Sequence, residues 1–258
     1  MARRSAKKSI KRSGTQRQED RRAMPDNVRV LFEDGWSPLE REMPSDAPRD
    51  QSYKKKIRPQ NETQAELFKQ IDENSVVFAT GPAGTGKTYV AVAKAVEALE
   101  AGRIGRIVLS RPAVEAGESL GFLPGDMEEK LSPYLRPLYD ALTDRLSAKK
   151  VRQLMAEGVI EVAPIAFMRG RTLNNAFVVI DEAQNCTYAQ LKMLLTRLGW
   201  HSTMVVTGDP EQTDLLPGVS GLADICNKLE EIDEIGVTRF KSADIVRHPL
   251  VAKMVGKI

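Results

Sequence analysis

The chain has 258 residues, 41% of them hydrophobic and 28% charged, which suits one large α/β domain, or one domain plus a tail, with enough apolar material for a real core. Aromatic residues make up only 5%, which argues against extensive base-stacking platforms. The net charge of +3 is unevenly placed: residues 1–22 carry nine bases against two acids, a net +7, so the rest of the chain stands at −4.

In chain order, residues 1–22 are basic and poor in apolar residues, and residues 23–57 hold Pro25, Pro38, Pro44 and Pro48 without sustained periodicity. Residues 1–57 therefore read as a largely disordered basic N-terminal tail, with one short docking segment at residues 28–32. Such a tail either holds phosphate backbones electrostatically or only solubilises the chain. Order is expected to begin near Asn61, where Gln64, Ala65, Leu67, Phe68 and Ile71 form a stripe at helical spacing. Short apolar runs follow at 76–79, 106–110, 159–163, 176–180, 203–207 and 235–240. Most are continuous, as strands buried on both faces of a parallel sheet read. Helical patterns lie between them at 88–101, 127–146, 147–157, 187–199 and 219–231, the second with Asp126 as cap and Glu129 three residues on. The alternation predicts a single α/β domain over residues 58–258, a parallel sheet with helices on both faces.

Cys186 and Cys226 are far apart and in no metal-ligand spacing, so they read as small buried apolar residues in a reducing compartment. No apolar run follows the basic N-terminus, and none is long enough to cross a bilayer. The expectation is a cytoplasmic protein without a membrane partner.

The segment Gly81-Pro82-Ala83-Gly84-Thr85-Gly86-Lys87-Thr88 matches the Walker A pattern in full, between an expected strand and an expected helix. Its glycines let backbone N–H groups turn inward around phosphate oxygens, and the helix N-terminus adds partial positive charge. Lys87 would reach the β- and γ-phosphates and the Thr88 hydroxyl would ligate Mg²⁺. Residues 81–88 and the following Tyr89 are the candidate nucleotide contacts.

Val178-Val179-Ile180-Asp181-Glu182 is an apolar strand ending in two carboxylates, the Walker B arrangement. Its strand is expected beside the phosphate-loop strand, bringing Asp181 to the Mg²⁺ shell and Glu182 to the attacking water. A pair of acids capping the next helix is the competing account. The second acid favours hydrolysis over transfer to a small acceptor. GTP recognition calls for Asn-Lys-x-Asp after a strand; Asn227-Lys228-Leu229-Glu230 ends in Glu and lies in an expected helix, so ATP is favoured.

Gly208-Asp209-Pro210-Glu211-Gln212, after another strand, resembles motif III of superfamily-1 helicases, which implies a γ-phosphate sensor at Gln212. The same residues also make a good turn. Asn61-x-x-Gln64 resembles the adenine-reading element of those helicases, with Gln64 as the contact; a solvent-facing helix start reads nearly as well.

The run from Arg111 to Gly125, Arg-Pro-Ala-Val-Glu-Ala-Gly-Glu-Ser-Leu-Gly-Phe-Leu-Pro-Gly, resembles the signature of the PhoH family. Residues 133–139, 169–172 and 244–250 are similar to that family too, so the resemblance covers roughly residues 60–258. It implies a RecA-like P-loop ATPase related to superfamily-1 helicases. Some members carry an RNase module, for which this chain has no room, so nuclease activity is not expected. Superfamily-1 helicases close their site with a second RecA-like domain, and about 46 residues remain after Gln212, too few for one. The resemblance then implies that Arg247 completes a neighbour's site in a homo-oligomer, favouring a hexameric ring, although a local ion pair would also account for it. Arg111 or Glu118 would meet single-stranded nucleic acid, and Arg169 and Arg171 would line a pore or interface; structural ion pairs account for all four equally well. His201 and His248 look incidental.

The leading reading is Mg²⁺-dependent ATP hydrolysis coupled to RNA or single-stranded DNA, helicase-like. An ATP-dependent assembly switch that recruits proteins is the alternative. A small-molecule kinase comes third, for no acceptor-binding lid is recognisable.

Overall fold

The computed structural model describes residues 57–112, 127–246 and 254, with the backbone course alone for 127–134. The basic tail, the docking segment at 28–32, Asp126, Glu118, His248 and Arg247 lie outside the described residues.

Six parallel strands form one sheet: β1 (Val76–Thr80), β2 (Arg106–Ser110), β3 (Ile160–Val162), β4 (Ala176–Ile180), β5 (Thr203–Gly208) and β6 (Ile235–Arg239). Their order is β3-β2-β4-β5-β1-β6. Every expected strand is present. The four central ones, β1, β2, β4 and β5, are almost wholly buried, which is why their sequences run apolar without alternation.

Helices cover both faces. On one, α2 (Lys87–Glu100) lies between α1 (Glu62–Glu73) and α3 (Met127–Arg145), followed by α4 (Ala148–Ala156). The small residues Ala91, Ala93, Ala95 and Ala98 let α2 approach the sheet closely, and all are buried. In α3, Leu135, Leu138, Tyr139 and Leu142 bury one stripe at helical spacing. On the other face, Leu191 and Leu194 of α5 (Tyr188–Leu195) and Leu222, Ile225 and Cys226 of α6 (Leu222–Leu229) pack on Phe78, Val178, Ile180 and Val206. Cys186 joins that core; both cysteines are buried and free, as expected.

Two helices are shorter than their periodicity predicts. The end of α5 is taken by pairing: the Leu173 N–H donates to the Arg197 carbonyl at 2.8 Å, and the Arg197 guanidinium reaches back to Met193 and across to Arg171. Residues before α6 pair with the start of α5 through a Thr187–Ser220 bridge.

Register sets the position of the site. Thr80 lies level with Gly208, and Ser110 with Ile180, so the turns after β1, β2, β4 and β5 emerge along one edge of the sheet. One expectation is corrected here: β4 does not neighbour β1, because β5 lies between them. Two similar apolar strands leave the strand order undetermined locally, and β5 carries the residues that bridge the gap.

No helix among the described residues is long and apolar enough to cross a membrane.

Candidate nucleotide site

The phosphate loop turns on Gly81, Gly84 and Gly86, all at positive φ of 128°, 82° and 84°. Gly81 is doubly constrained: a Cβ there would lie 2.3 Å from the Phe240 carbonyl oxygen. Its N–H donates to the Gly208 carbonyl at 3.1 Å, tying the loop to β5. Ala83 and Gly84 form an exposed crest, while Thr85 is buried and donates to the Pro82 carbonyl at 3.0 Å. Lys87 curls into the loop, its Nζ donating to the Gly81 and Pro82 carbonyls at 2.6 and 2.7 Å. Burial lowers the lysine's pKa, and the negative charges of Asp209, Glu182 and Asp181 oppose that shift. The ammonium therefore sits in the field of three carboxylates beside the N–H groups of the first turn of α2.

Thr88 and Asp181 meet across the sheet edge, the hydroxyl donating to Oδ1 at 2.5 Å. The same Oδ1 accepts from the Thr207 hydroxyl of β5 at 2.7 Å, so the intervening strand helps to aim the acid. Asp181 is 3% exposed. Glu182 adopts φ 53° and ψ 41°, a left-handed conformation rare outside glycine. In an extended strand consecutive side chains point to opposite faces; this turn brings two consecutive carboxylates into one site. Gln184, also buried, links the acidic end to the end of β5: its Nε2 donates to Glu182 Oε2 at 2.5 Å, and its Oε1 accepts from the Asp209 N–H at 3.1 Å. Asn185 clamps the next turn by donating to Asp214 Oδ2 and accepting from the Asp214 N–H, both at 2.9 Å.

The other expected residues are placed unequally. Gln64 is buried against the loop; its Nε2 donates to the Thr85 carbonyl at 2.9 Å and its Oε1 accepts from the Gln60 N–H at 2.9 Å. It therefore braces the loop whatever else it touches. Tyr89 donates its hydroxyl to Asp144 of α3 at 2.7 Å, a helix contact rather than a loop contact. Gln212 is exposed in the turn after β5, its N–H donating to the Asp209 carbonyl. Arg171 forms a two-pronged pair with Glu161 at 2.5 and 2.7 Å, a structural role, while Arg169 is exposed. His201 is exposed at φ 55°.

Thr207 is a contributor that the sequence does not single out, for it has no local signal beyond its place beside a motif. Gln184 does have one, because Asp181-Glu182-Ala183-Gln184 resembles the acidic box of helicase-type ATPases. Arg111, which reads from the sequence as a nucleic-acid contact or a structural ion pair, leaves β2 towards the paired acids, with Nη2 at 3.3 Å from Glu182 Oε1 and Nη1 at 3.9 Å from Asp181 Oδ2. The exit from β6 braces the loop: the Phe240 N–H donates to the Thr80 carbonyl at 2.7 Å, and the Val246 N–H to the Gly84 carbonyl at 3.0 Å. Asp244 fastens that exit to α1, accepting from the Thr63 hydroxyl at 3.0 Å.

The donor set fits Mg²⁺. Thr88 and Asp181 converge with oxygen atoms only, and Mg²⁺ takes one or two protein oxygens and completes its shell with waters and substrate phosphates. No cluster of three or more His, Cys, Asp or Glu side chains suited to a metal occurs among the described residues.

A parallel sheet with a glycine loop after β1, paired acids after β4 and helices on both faces defines a RecA-like P-loop NTPase core. The chain belongs to the PhoH family: the family's sequence profile, described as PhoH-like protein, matches residues 56–258. It is 58% identical over 202 residues to a PhoH-like protein of Bacillus subtilis (strain 168), covering 78% of this chain and 63% of that one. It is 49% identical over 197 residues to Protein PhoH of Escherichia coli (strain K12), covering 75% and 56% respectively. The matched stretch thus spans less than two thirds of either relative. Among solved structures, the large terminase from a thermophilic bacteriophage shares the fold, with a TM-score of 0.50 at 12% identity over 78% of this chain and 50% of that one.

Proposed function

We propose that the chain is a Mg²⁺-dependent ATPase whose hydrolysis drives remodelling of RNA or single-stranded DNA from an oligomeric, ring-like assembly. The observation that carries the reading is the contact between Thr88 and Asp181 with Glu182 turned in beside them. A metal ion there would be held by Thr88 and Asp181 and would neutralise charge on the β- and γ-phosphates. The loop from Gly81 to Gly86 surrounds the phosphates with N–H groups, and Lys87 uncurls to meet them. Glu182 orients water for attack on the γ-phosphorus and takes up its proton, while ADP leaves with the bridging oxygen. Gln184 keeps that carboxylate aligned with the β5 end, from which Gln212 reports on the γ-phosphate. Gln64 contacts adenine from its place against the loop. Arg247, from a neighbouring subunit, supplies the charge that completes the site.

Coupling to a polymer is supported by the helicase-like order of motifs along one sheet edge. A groove of about 450 Å³ adjoins it, lined by Pro112, Pro164, Ala166, Asn185, Gln190 and Leu216. The N-terminal charge gives a second, weaker support. One observation favours the assembly switch instead: Leu216 is 77% exposed and Val219 40% exposed, an apolar tip suited to a protein partner, on the segment after Gln212.

Lys87→Ala and Glu182→Gln should abolish turnover, with Glu182→Gln still binding nucleotide. Near-normal hydrolysis by purified Glu182→Gln protein would sink the assignment. Single-stranded RNA or DNA should stimulate hydrolysis in a salt-dependent way; no stimulation and no binding would leave the switch.

A further inference from the structure

The two acids divide their oxygens in the same manner. Asp181 gives Oδ1 to the hydroxyls of Thr88 and Thr207, and its Oδ2 faces Arg111. Glu182 gives Oε2 to Gln184, and its Oε1 faces Arg111. One guanidinium thus spans both carboxylates. The Arg111 and Asp181 side chains are only 20% and 5% exposed, so water screens that contact far less than at an open surface, while Glu182, 37% exposed, is screened more. Two adjacent carboxylates repel each other unless a cation lies between them.

We propose that Arg111 is a resident counter-ion for Asp181 and Glu182 that competes with Mg²⁺ and must let go before Glu182 can orient water. The inference deepens the ATPase reading and rests on it. With Arg111 and Gln184 engaging one oxygen each, Glu182 is committed on both sides in the resting state. A divalent cation at Thr88 and Asp181 brings like charge up to the guanidinium and takes over its role towards Asp181. Release of Arg111 then frees Glu182 Oε1. Arg111 is a positioning residue in this account. It acts through the acids, and no contact with nucleotide is required of it.

The geometry distinguishes this role from an ordinary surface ion pair. An exposed pair of this kind would leave metal affinity untouched when removed. A competing cation, once removed, must raise that affinity.

The test is Mn²⁺ binding to the full chain in the presence of ADP, followed by the paramagnetic signal of free Mn²⁺, for the native protein, Arg111→Gln and Arg111→Lys. Arg111→Gln should bind Mn²⁺ several-fold more tightly. Arg111→Lys keeps the charge but cannot span both acids, so it should shift affinity in the same direction by less. With ATP, the Mg²⁺ concentration for half-maximal hydrolysis should fall in the same order. Unchanged or weaker Mn²⁺ binding in a folded variant, checked by circular dichroism, overturns the proposal. Should Arg111→Gln fail to fold, Arg111→Lys decides by the same criterion. The metal titration needs no turnover, so a chain that never hydrolyses ATP would refute the ATPase reading while the Mn²⁺ result still judged Arg111.

Discussion

The side-chain amide of Gln64, on the first turn of α1, donates to the carbonyl of Thr85 at 2.9 Å, joining a helix to the phosphate loop 21 residues further on. Gly86 makes room for it, since a Cβ there would lie 2.9 Å from Gln64 Nε2. Replacing Gln64 with Leu leaves the buried Thr85 carbonyl unpaired, a loss of about 1–3 kcal/mol. The expected outcome is a lower melting temperature together with weaker nucleotide binding, measured by calorimetry with ADP. Unchanged affinity would show that the loop holds its shape without α1.

Thr207 aims Asp181 from the intervening strand at 2.7 Å. Thr207→Val keeps the shape and removes the hydroxyl. Loss of such an outer partner should raise the Mg²⁺ requirement for nucleotide hydrolysis by about tenfold or more. A Mg²⁺ titration at saturating ATP checks this, and an unshifted curve counts against any role for β5 in metal placement.

Gln184 connects Glu182 to Asp209. Gln184→Ala should slow turnover while leaving ADP affinity close to native, because the contact is to Glu182, the acid proposed to orient water, and not to the phosphate loop. If Glu182 serves as the proposed general base, the loss should not exceed its own, about 10²–10⁴-fold. A fall in affinity without a fall in turnover would contradict this division of labour.

Burial pushes the Cys186 thiol from 9.0 up to about 12. The folded state thus favours the protonated form. That contribution to stability is full below pH 9 and is lost as pH rises from 9 towards about 12, where the unfolded chain ionises first. Melting temperatures of the native protein should therefore fall more steeply above pH 9 than those of Cys186→Ala. At neutral pH the thiol should resist alkylating reagents until the protein unfolds.

Much was legible from the residues themselves. Short apolar runs marked all six strands, and those of the four central strands run without alternation because burial on both faces removes the need for it. The glycine loop and the paired acids were legible because phosphate and metal chemistry constrain residue type at fixed short spacing. Where two helices ended was not, since backbone pairing at Leu173 with Arg197 and at Thr187 with Ser220 outweighed their periodicity.

The amino-acid sequence by itself determined the strands, the turn that can surround phosphate, and the two carboxylates that can serve a metal and a water. Only the tertiary structure decided that β5 lies between β1 and β4, that Thr207 therefore reaches Asp181, and that Arg111 faces both acids. It also placed Gln64 under the loop and the exit of β6 against it. The reason is range. Local chemistry shows in neighbouring residues, whereas contacts between strand ends depend on sheet order and register, which similar apolar strands leave open until they pack.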